Sequence, residues 1–561
     1  MHRNEIIASI KKNPSVSVLI VGAGINGIGV FRDLALNGVD ALIVDRADFC
    51  SGASAASSHM AHGGVRYLEN GEFRLVREAV GERNRMIQNA PHIVKPLATT
   101  IPVFKHFSGL FNAPLKFLGW LDKPGERGSL IIKLGLMLYD AFTGSQRVVP
   151  RHKFRGRAES LSRWTRLNPA IVSTAEYYDG LIQNPERLAL ESLLDAEADG
   201  ARALNYVSLA GGQGERVTLR DELTGETFEV TPRLVINATG AWIDAANAML
   251  GQSTHFIGGT KGSHLVLHHP ELRQAIGENE FFFENKDGRI VLIFPLFDKV
   301  LIGTSDIKIG DPDEARCTDE EVDYFLGMLA RVFPDIQAGR EHIVFRFSGV
   351  RPLASSGAKS TAQFSRDHAI QVVSGVWTGL AYPVYSLVGG KWTSFRAFSE
   401  QVTDKALDFF GIERAKSTQY LAVGGGRNYP RTAEEQKRFL DRVKAWAGLS
   451  EERARILFER YGTRAESIAE FLTHQPDAPL KTLPDYSRRE IAFLAQHEKI
   501  VHLDDLILRR SMLAMLGQLT RPALDELAGE LGGALGWDAA QQQAEAMRTL
   551  ELLSSRHGVN L

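Results

Sequence analysis

Two stretches of the chain combine residue types that could do chemistry. The first is Gly22-Ala23-Gly24-Ile25-Asn26-Gly27, followed by an acidic side chain at Asp45. Glycines at this spacing leave backbone N–H groups open to a pyrophosphate, assisted by the dipole of the helix they introduce, and Asp45 can accept from a ribose hydroxyl. The second is His62-Gly63-Gly64-Val65-Arg66-Tyr67-Leu68, which sets an imidazole, a guanidinium and a phenol beside two glycines. Such a group is suited to gripping an anion next to a cofactor.

The elements that must position these residues can be read around them. Val16, Val18, Leu19, Ile20 and Val21 form a β-branched run expected of a strand buried on both faces, and Leu42-Ile43-Val44 forms a second. Gly22 allows the tight turn, Gly24 lets the backbone approach a pyrophosphate, and Gly27 lets the following helix pack on the sheet. Strand, glycines, helix, strand and acid in register predict a βαβ grip for an adenosine diphosphate moiety. FAD and NAD share that grip, and the motif does not choose between them. The small residues from Ser51 to Ser58 then let backbone pass close beside a flat ligand.

Composition bounds the rest. With 561 residues and 44% hydrophobic content, the chain can bury large cores, and length alone suggests roughly three to four domains. A net charge of −2 argues against a general nucleic-acid binder. The two cysteines, Cys50 and Cys317, lack metal-type spacing, and His474, His497 and His502 are wrongly spaced for one helix face, so no metal site is expected. Sparse cysteine fits a reducing, cytoplasmic-facing compartment. The N-terminus has no continuous apolar signal region, and no stretch reaches the ~18 apolar residues of a spanning helix. Residues 103–142 mix Phe104, Phe107, Phe111, Phe117 and Trp120 with Lys105, Lys116, Lys123, Arg127 and Lys133. That mixture suits either a membrane-surface element or a core helix pair.

Further along, 188–198 reads as a helix and 233–240 as a buried strand returning to the cofactor sheet. Residues 261–309 read as antiparallel strands with a hairpin, hence a second, substrate-facing sheet. Gly389-Gly390 precede a segment of helical periodicity, whose N-terminus could aim its dipole at a flavin. Beyond residue 400 the pattern becomes charged amphipathic helices, one opened by the capping-box sequence Thr432-Ala433-Glu434-Glu435.

The stretch SSHMAHGGVRYLENGEFRLVREA resembles the segment after the dinucleotide fold in FAD-dependent, respiratory glycerol-3-phosphate dehydrogenases. The resemblance continues through Asn184-Pro185-Glu186-Arg187-Leu188, Asn237-Ala238-Thr239-Gly240, Lys261-Gly262-Ser263-His264, Gly303-Thr304-Ser305-Asp306, Ser348-Gly349-Val350-Arg351-Pro352 and Gly389-Gly390-Lys391-Trp392-Thr393. It implies an α/β fold: an FAD-binding Rossmann-like domain (1–95, 155–260 and 341–400), an antiparallel-sheet substrate domain (96–154 and 261–340) and a C-terminal α-helical domain (401–561).

The implied reaction is oxidation of sn-glycerol 3-phosphate to dihydroxyacetone phosphate by hydride transfer to FAD. The implied acceptor is a quinone, on the cytoplasmic face of the inner membrane, with the protein peripheral and a homodimer admissible. For the substrate phosphate the resemblance offers Arg66, Arg351, Arg366 and Lys391, with Tyr67 and Thr393 as hydrogen-bonding partners. His264 or His62 would take the hydroxyl proton, His264 being preferred, and Arg351 is counted with them as catalytic. FAD contacts fall to Gly22, Gly24, Asn26, Gly27, Asp45, Ser57, Ser58, Gly63, Gly64, Thr239, Gly240, Gly389, Gly390 and Lys391. Two departures, the loop 376–382 and Ser305 in place of a common second threonine, bear on fine specificity. The alternatives are a soluble oxidase that uses oxygen, an amino-acid-type flavin oxidase and a non-catalytic nucleotide-binding module.

Overall fold

A computed structural model describes residues 3–64, 72–105, 129–143, 148–284, 290–355, 367–374 and 379–561. Two large sheets and a set of C-terminal helices make up the molecule.

The first sheet runs in the order Ala369–Val373, Val384–Val388, Thr227–Asn237, Ser15–Val21, Ala41–Val44, Arg202–Leu204. All neighbours are parallel except the outermost pair, 369–373 with 384–388. The βαβ unit expected from the sequence is present as Ser15–Val21, Ile25–Leu36 and Ala41–Val44. Helices Ile25–Leu36, Pro185–Ala198 and Phe395–Phe410 cover one face through Ile28, Phe31, Leu193 and Phe398. Helices Arg3–Lys12 and Ile243–Met249, with the hairpin 207–221, cover the other. Parallel strands need both faces covered, which is why these strands are continuous apolar runs.

The second sheet has ten strands. From Ile343–Arg351 it passes through Thr260–Leu267, Lys299–Gly303, Ile290–Leu296, Asn279–Glu284, Val94–Val103 and Ser173–Ile182 to Met60–Ala61. Six spacings of about 4.8 Å would put 343–351 some 29 Å from 173–182 in a flat sheet. Yet Ile182 N donates to His59 O at 2.8 Å, while the His59 and Phe347 ring centroids are 6.4 Å apart. The sheet therefore curls, bringing the edge strand Met60–Ala61 and its flanking residues back toward 343–351. Strand pairing places the division between the sheets differently from the sequence expectation: 173–182 and 343–351, grouped there with the cofactor domain, belong to the second sheet. Their apolar runs look alike on either assignment, and only the pairing partner decides.

The C-terminal helices do not stand apart. Leu457, Phe458, Ile491 and Leu506 share one core with Met60, Leu181, Phe294 and Phe345 of the second sheet. Thr432 caps helix Ala433–Ala447 with the reciprocal bonding to Glu435 that its sequence foretells. Among the described residues no helix is long and apolar enough to cross a membrane.

Candidate active site

The glycine turn is built by close approach. Gly22 has φ +101, and a Cβ there would lie 2.7 Å from the Ala238 carbonyl, so the end of strand Thr227–Asn237 fits against bare backbone. Gly24 caps helix Ile25–Leu36 without any side-chain bond. Ala23 N donates to Asp45 Oδ2 at 2.7 Å and Ile25 N to Ser54 Oγ at 2.9 Å, while the first-turn amides of Asn26 and Gly27 point out of the helix end. Asp45 also accepts from Ala47 N at 3.0 Å, and burial pushes its pKa up to about 6 against these two bonds. Asn26 Nδ2 donates to Gly389 O at 3.2 Å, which ties the turn to Gly389-Gly390. The helix after those glycines begins only at Phe395, so they form a separate loop instead of its N-terminus. Trp392 Nε1 donates to Ser54 O at 3.0 Å and brings Lys391 and the buried Thr393 to the same place. Thr239 bonds back to Asn237 Oδ1, and Gly240, at φ +63, opens the turn after it. Ser57 Oγ accepts from His59 N, and Gly64 has φ +79.

On the concave face of the second sheet, register aligns His264 with Gly303, Gly303 with Leu292, and Leu292 with Phe282. The same face carries Glu280, paired with Thr99, and Asp179, two residues beyond the Thr99 partner Tyr177. His264 and Asp179 each hold one end of the segment 58–63. A 2.8 Å bond joins His264 Nε2 to Ser58 Oγ, and the imidazole stacks on Phe347 with ring centroids 4.8 Å apart. Burial, then the charges of Arg351 and His59, pushes the His264 pKa well below its ordinary value.

His62 has a different setting. Its side chain is 40% exposed, and Nδ1 faces Asp179 Oδ2 at 3.3 Å. Asp179 is buried and accepts from Gly63 N at 2.7 Å and Tyr139 Oη at 2.9 Å. Burial works against its charge, but the bond and charge of His62, the charge of Arg83 and the Gly63 amide outweigh it and lower the pKa. Gly63 leaves room for the Tyr139 hydroxyl: a Cβ would meet Tyr139 Oη at 1.7 Å, so a side chain here would displace that ring. Of the two histidines singled out from the sequence, His62 therefore has the accessible ring and the orienting carboxylate of a general base.

Arg351 ends strand Ile343–Arg351. Its Nη1 donates to Asp306 Oδ1 at 3.1 Å, and Nη2 to Thr304 Oγ1 at 2.9 Å and Ser305 O at 3.1 Å. Lys261, in the matching Lys261-Gly262-Ser263-His264 motif, is committed to Glu321 at 2.7 Å. Arg66, Tyr67 and Arg366 lie outside the described residues.

Asp179 and Glu280 were not singled out from the sequence, although each is an acid inside a strand-like run, STAEYYDGLI and NEFFFE. Glu280 is fully buried, accepts from Thr99 Oγ1 at 2.6 Å, and is pushed up to about 7 by burial. Its folded value lies above its ordinary 4.5, so its contribution to stability is complete below pH 4.5 and is lost as pH rises through 7. Glu280→Gln, which stays neutral, should gain on the wild type by about 3 kcal/mol between pH 4 and pH 8. Urea unfolding of the two proteins at both pH values checks this; an equal difference at both would show that Glu280 ionises freely.

The residues fit a dinucleotide. Asn26 Oδ1 in the turn and His264 Nδ1 on the second sheet are buried with no partner among the described residues, which suits a polar ligand at the junction of the sheets. One sheet thus carries the glycine turn of a nucleotide grip and the other the His62–Asp179 pair. Residues 17–396 match the FAD dependent oxidoreductase family, and 416–542 match the C-terminal domain of alpha-glycerophosphate oxidase. The glycerol-3-phosphate dehydrogenase of Synechocystis sp. is 33% identical over 534 residues, 90% of each chain. That of Pseudomonas aeruginosa is 28% identical over 89% of this chain and 92% of its own. Among solved structures, the FAD complex of the glycerol-3-phosphate dehydrogenase from Bacillus halodurans superposes with a TM-score of 0.75 at 21% identity, covering 98% of this chain and 97% of its own. The chain belongs to the FAD-dependent oxidoreductases, in the glycerol-3-phosphate dehydrogenase family, and its cofactor is FAD.

Proposed function

We propose that the protein oxidises sn-glycerol 3-phosphate to dihydroxyacetone phosphate and delivers the electrons to a membrane quinone. The observation that carries the substrate reading is the pairing of an oriented, accessible base, His62 on Asp179, with Arg351 on the same curled sheet, in a chain matched over most of its length by glycerol-3-phosphate dehydrogenases. With Nδ1–H directed at Asp179, His62 Nε2 takes the proton of the secondary hydroxyl while the carbon beneath it gives up its hydride. FAD, when bound, supplies the hydride acceptor. Arg351, held in plane by Asp306, Thr304 and Ser305, presents a guanidinium to the phosphate, joined by Lys391 and, from the sequence motifs, Arg66 and Arg366.

Membrane-surface attachment on the cytoplasmic side belongs to the same proposal. Helix Ser129–Thr143 buries Leu136 and Tyr139 against Val76 and Tyr177 but exposes Lys133, Met137 and Leu138, an apolar and basic surface. The segment 106–128 itself lies outside the described residues.

The test is anaerobic titration of the yellow protein. sn-Glycerol 3-phosphate should bleach the flavin band, and unphosphorylated glycerol should do so only at far higher concentration. Reoxidation should then be much faster with a soluble quinone analogue than with oxygen. Equal rates would favour the oxygen-using oxidase reading, and bleaching by an amino acid instead would remove the substrate assignment.

A further inference from the structure

The loop between Asp45 and Cys50 connects the glycine turn to the C-terminal helices. Both of its ends are bonded to one residue of the turn: Ala23 N donates to Asp45 Oδ2 at 2.7 Å, and Cys50 N donates to Ala23 O at 2.9 Å. Between those ends Asp48 is fully buried. Its carboxylate accepts from Arg509 Nε at 2.5 Å, from Arg510 Nη2 at 2.9 Å and also Arg510 Nη1, and from Asn205 Nδ2 at 3.0 Å. Arg509 is shared with Asp504 and Asp505, at 3.1 and 2.7 Å, and Tyr206 Oη donates to Asp505 Oδ1 at 2.6 Å. Arg187 Nη2 bonds the Arg510 carbonyl at 2.9 Å while its Nη1 pairs with Glu498 at 2.6 Å.

A carboxylate this deep is tolerated only with its cations in place. Burial opposes ionisation of Asp48, yet the charges of Arg510 and Arg509 hold its pKa below the usual range. Both cations come from the C-terminal domain, more than 450 residues along the chain. The buried apolar residues of helices 433–557 pack with the second sheet, whereas Val402, Ala406 and Leu407 pack with the nucleotide sheet; the ion cluster is a further, charged tie from 509–510 to that sheet.

We infer that Arg509 and Arg510 are positioning residues for the FAD grip: through Asp48 they hold the loop 45–50 against Ala23, and the C-terminal domain is thereby a clamp on cofactor retention. Coupling of this kind is reciprocal, so FAD must in turn hold the clamp segment in place.

The experiment measures FAD binding to apoprotein by quenching of flavin fluorescence for the wild type, Asp48→Asn and Arg510→Met. Arg453→Met serves as a control, because it breaks a buried pair with Glu490 inside the C-terminal domain, at 2.5 Å, that does not contact Asp48. Asp48→Asn and Arg510→Met should bind FAD roughly 5- to 150-fold more weakly, the usual span of inter-site coupling, while the control keeps wild-type affinity. Hydrogen exchange on the unmutated protein adds a readout that needs no variant: removing FAD should raise exchange across 503–511 and leave 465–473 unchanged. Wild-type affinity in the folded Asp48 and Arg510 variants, equal weakening in the control, or unchanged exchange at 503–511 would each overturn the inference.

Discussion

His62→Asn is expected to lower kcat by about 10²- to 10⁴-fold, the range a positioned general base supplies, with FAD content and the bleached end point unchanged. The expectation follows from the Asp179 contact and from access: the His62 ring is 40% exposed, while His264 is buried and bonded to Ser58. Asp179→Asn isolates the orienting role. Its amide oxygen can still accept from Gly63 N and Tyr139 Oη, so the local fold has its anchors. Its amide nitrogen, however, would face His62 Nδ1, favouring the tautomer with the proton on Nε2, where the substrate proton must go. A fall in kcat of up to about 10⁴-fold is expected, because the proton then sits on the wrong nitrogen. In the pH profile of kcat/KM, the acid-side limb of the wild type should disappear in His62→Asn. If His264→Ala removes that limb instead, the base is His264 and the sequence preference stands.

The second large effect is at Arg351. Losing one partner of a desolvated charge pair costs about 2 to 5 kcal/mol, so Arg351→Ala should lower kcat/KM for the phosphorylated substrate by roughly thirtyfold to several thousandfold. Arg351→Lys should not rescue it. The Nη1 and Nη2 bonds to Asp306, Thr304 and Ser305 fix a plane, and lysine offers a point charge with no plane to fix. Activity on unphosphorylated glycerol should fall far less, because that substrate has no dianion to leave unpaired. FAD content should stay normal, since the turn at 22–27 is built on the other sheet. Loss of flavin with normal kinetics in the remaining holoenzyme would make Arg351 structural and pass the phosphate to Arg66 and Lys391.

What the sequence determined by itself is local. The βαβ grip was legible because its glycines, strand runs and acid fall within some thirty residues, where one turn geometry and one helix start constrain them all. The cap at Thr432 and the hairpin of 290–296 with 299–303 were legible for the same reason: their partners are near neighbours in the chain. The glycine in His62-Gly63 was visible, but its cause was not, because the obstructing group is Tyr139.

Only the tertiary structure gives the two histidines different settings. His62 and His264 are equivalent as letters, and they separate because Asp179 and Ser58 come from distant segments that a curled sheet brings together. Sheet membership of 173–182 and 343–351 was undecidable for a related reason, since a buried strand shows the same apolar run whichever neighbour it pairs with. The charges at Asp48, Arg509 and Arg510 read as solvated side chains until folding buries them together. Burial is a property of the whole packed chain, and so are the pKa values and the couplings that follow from it.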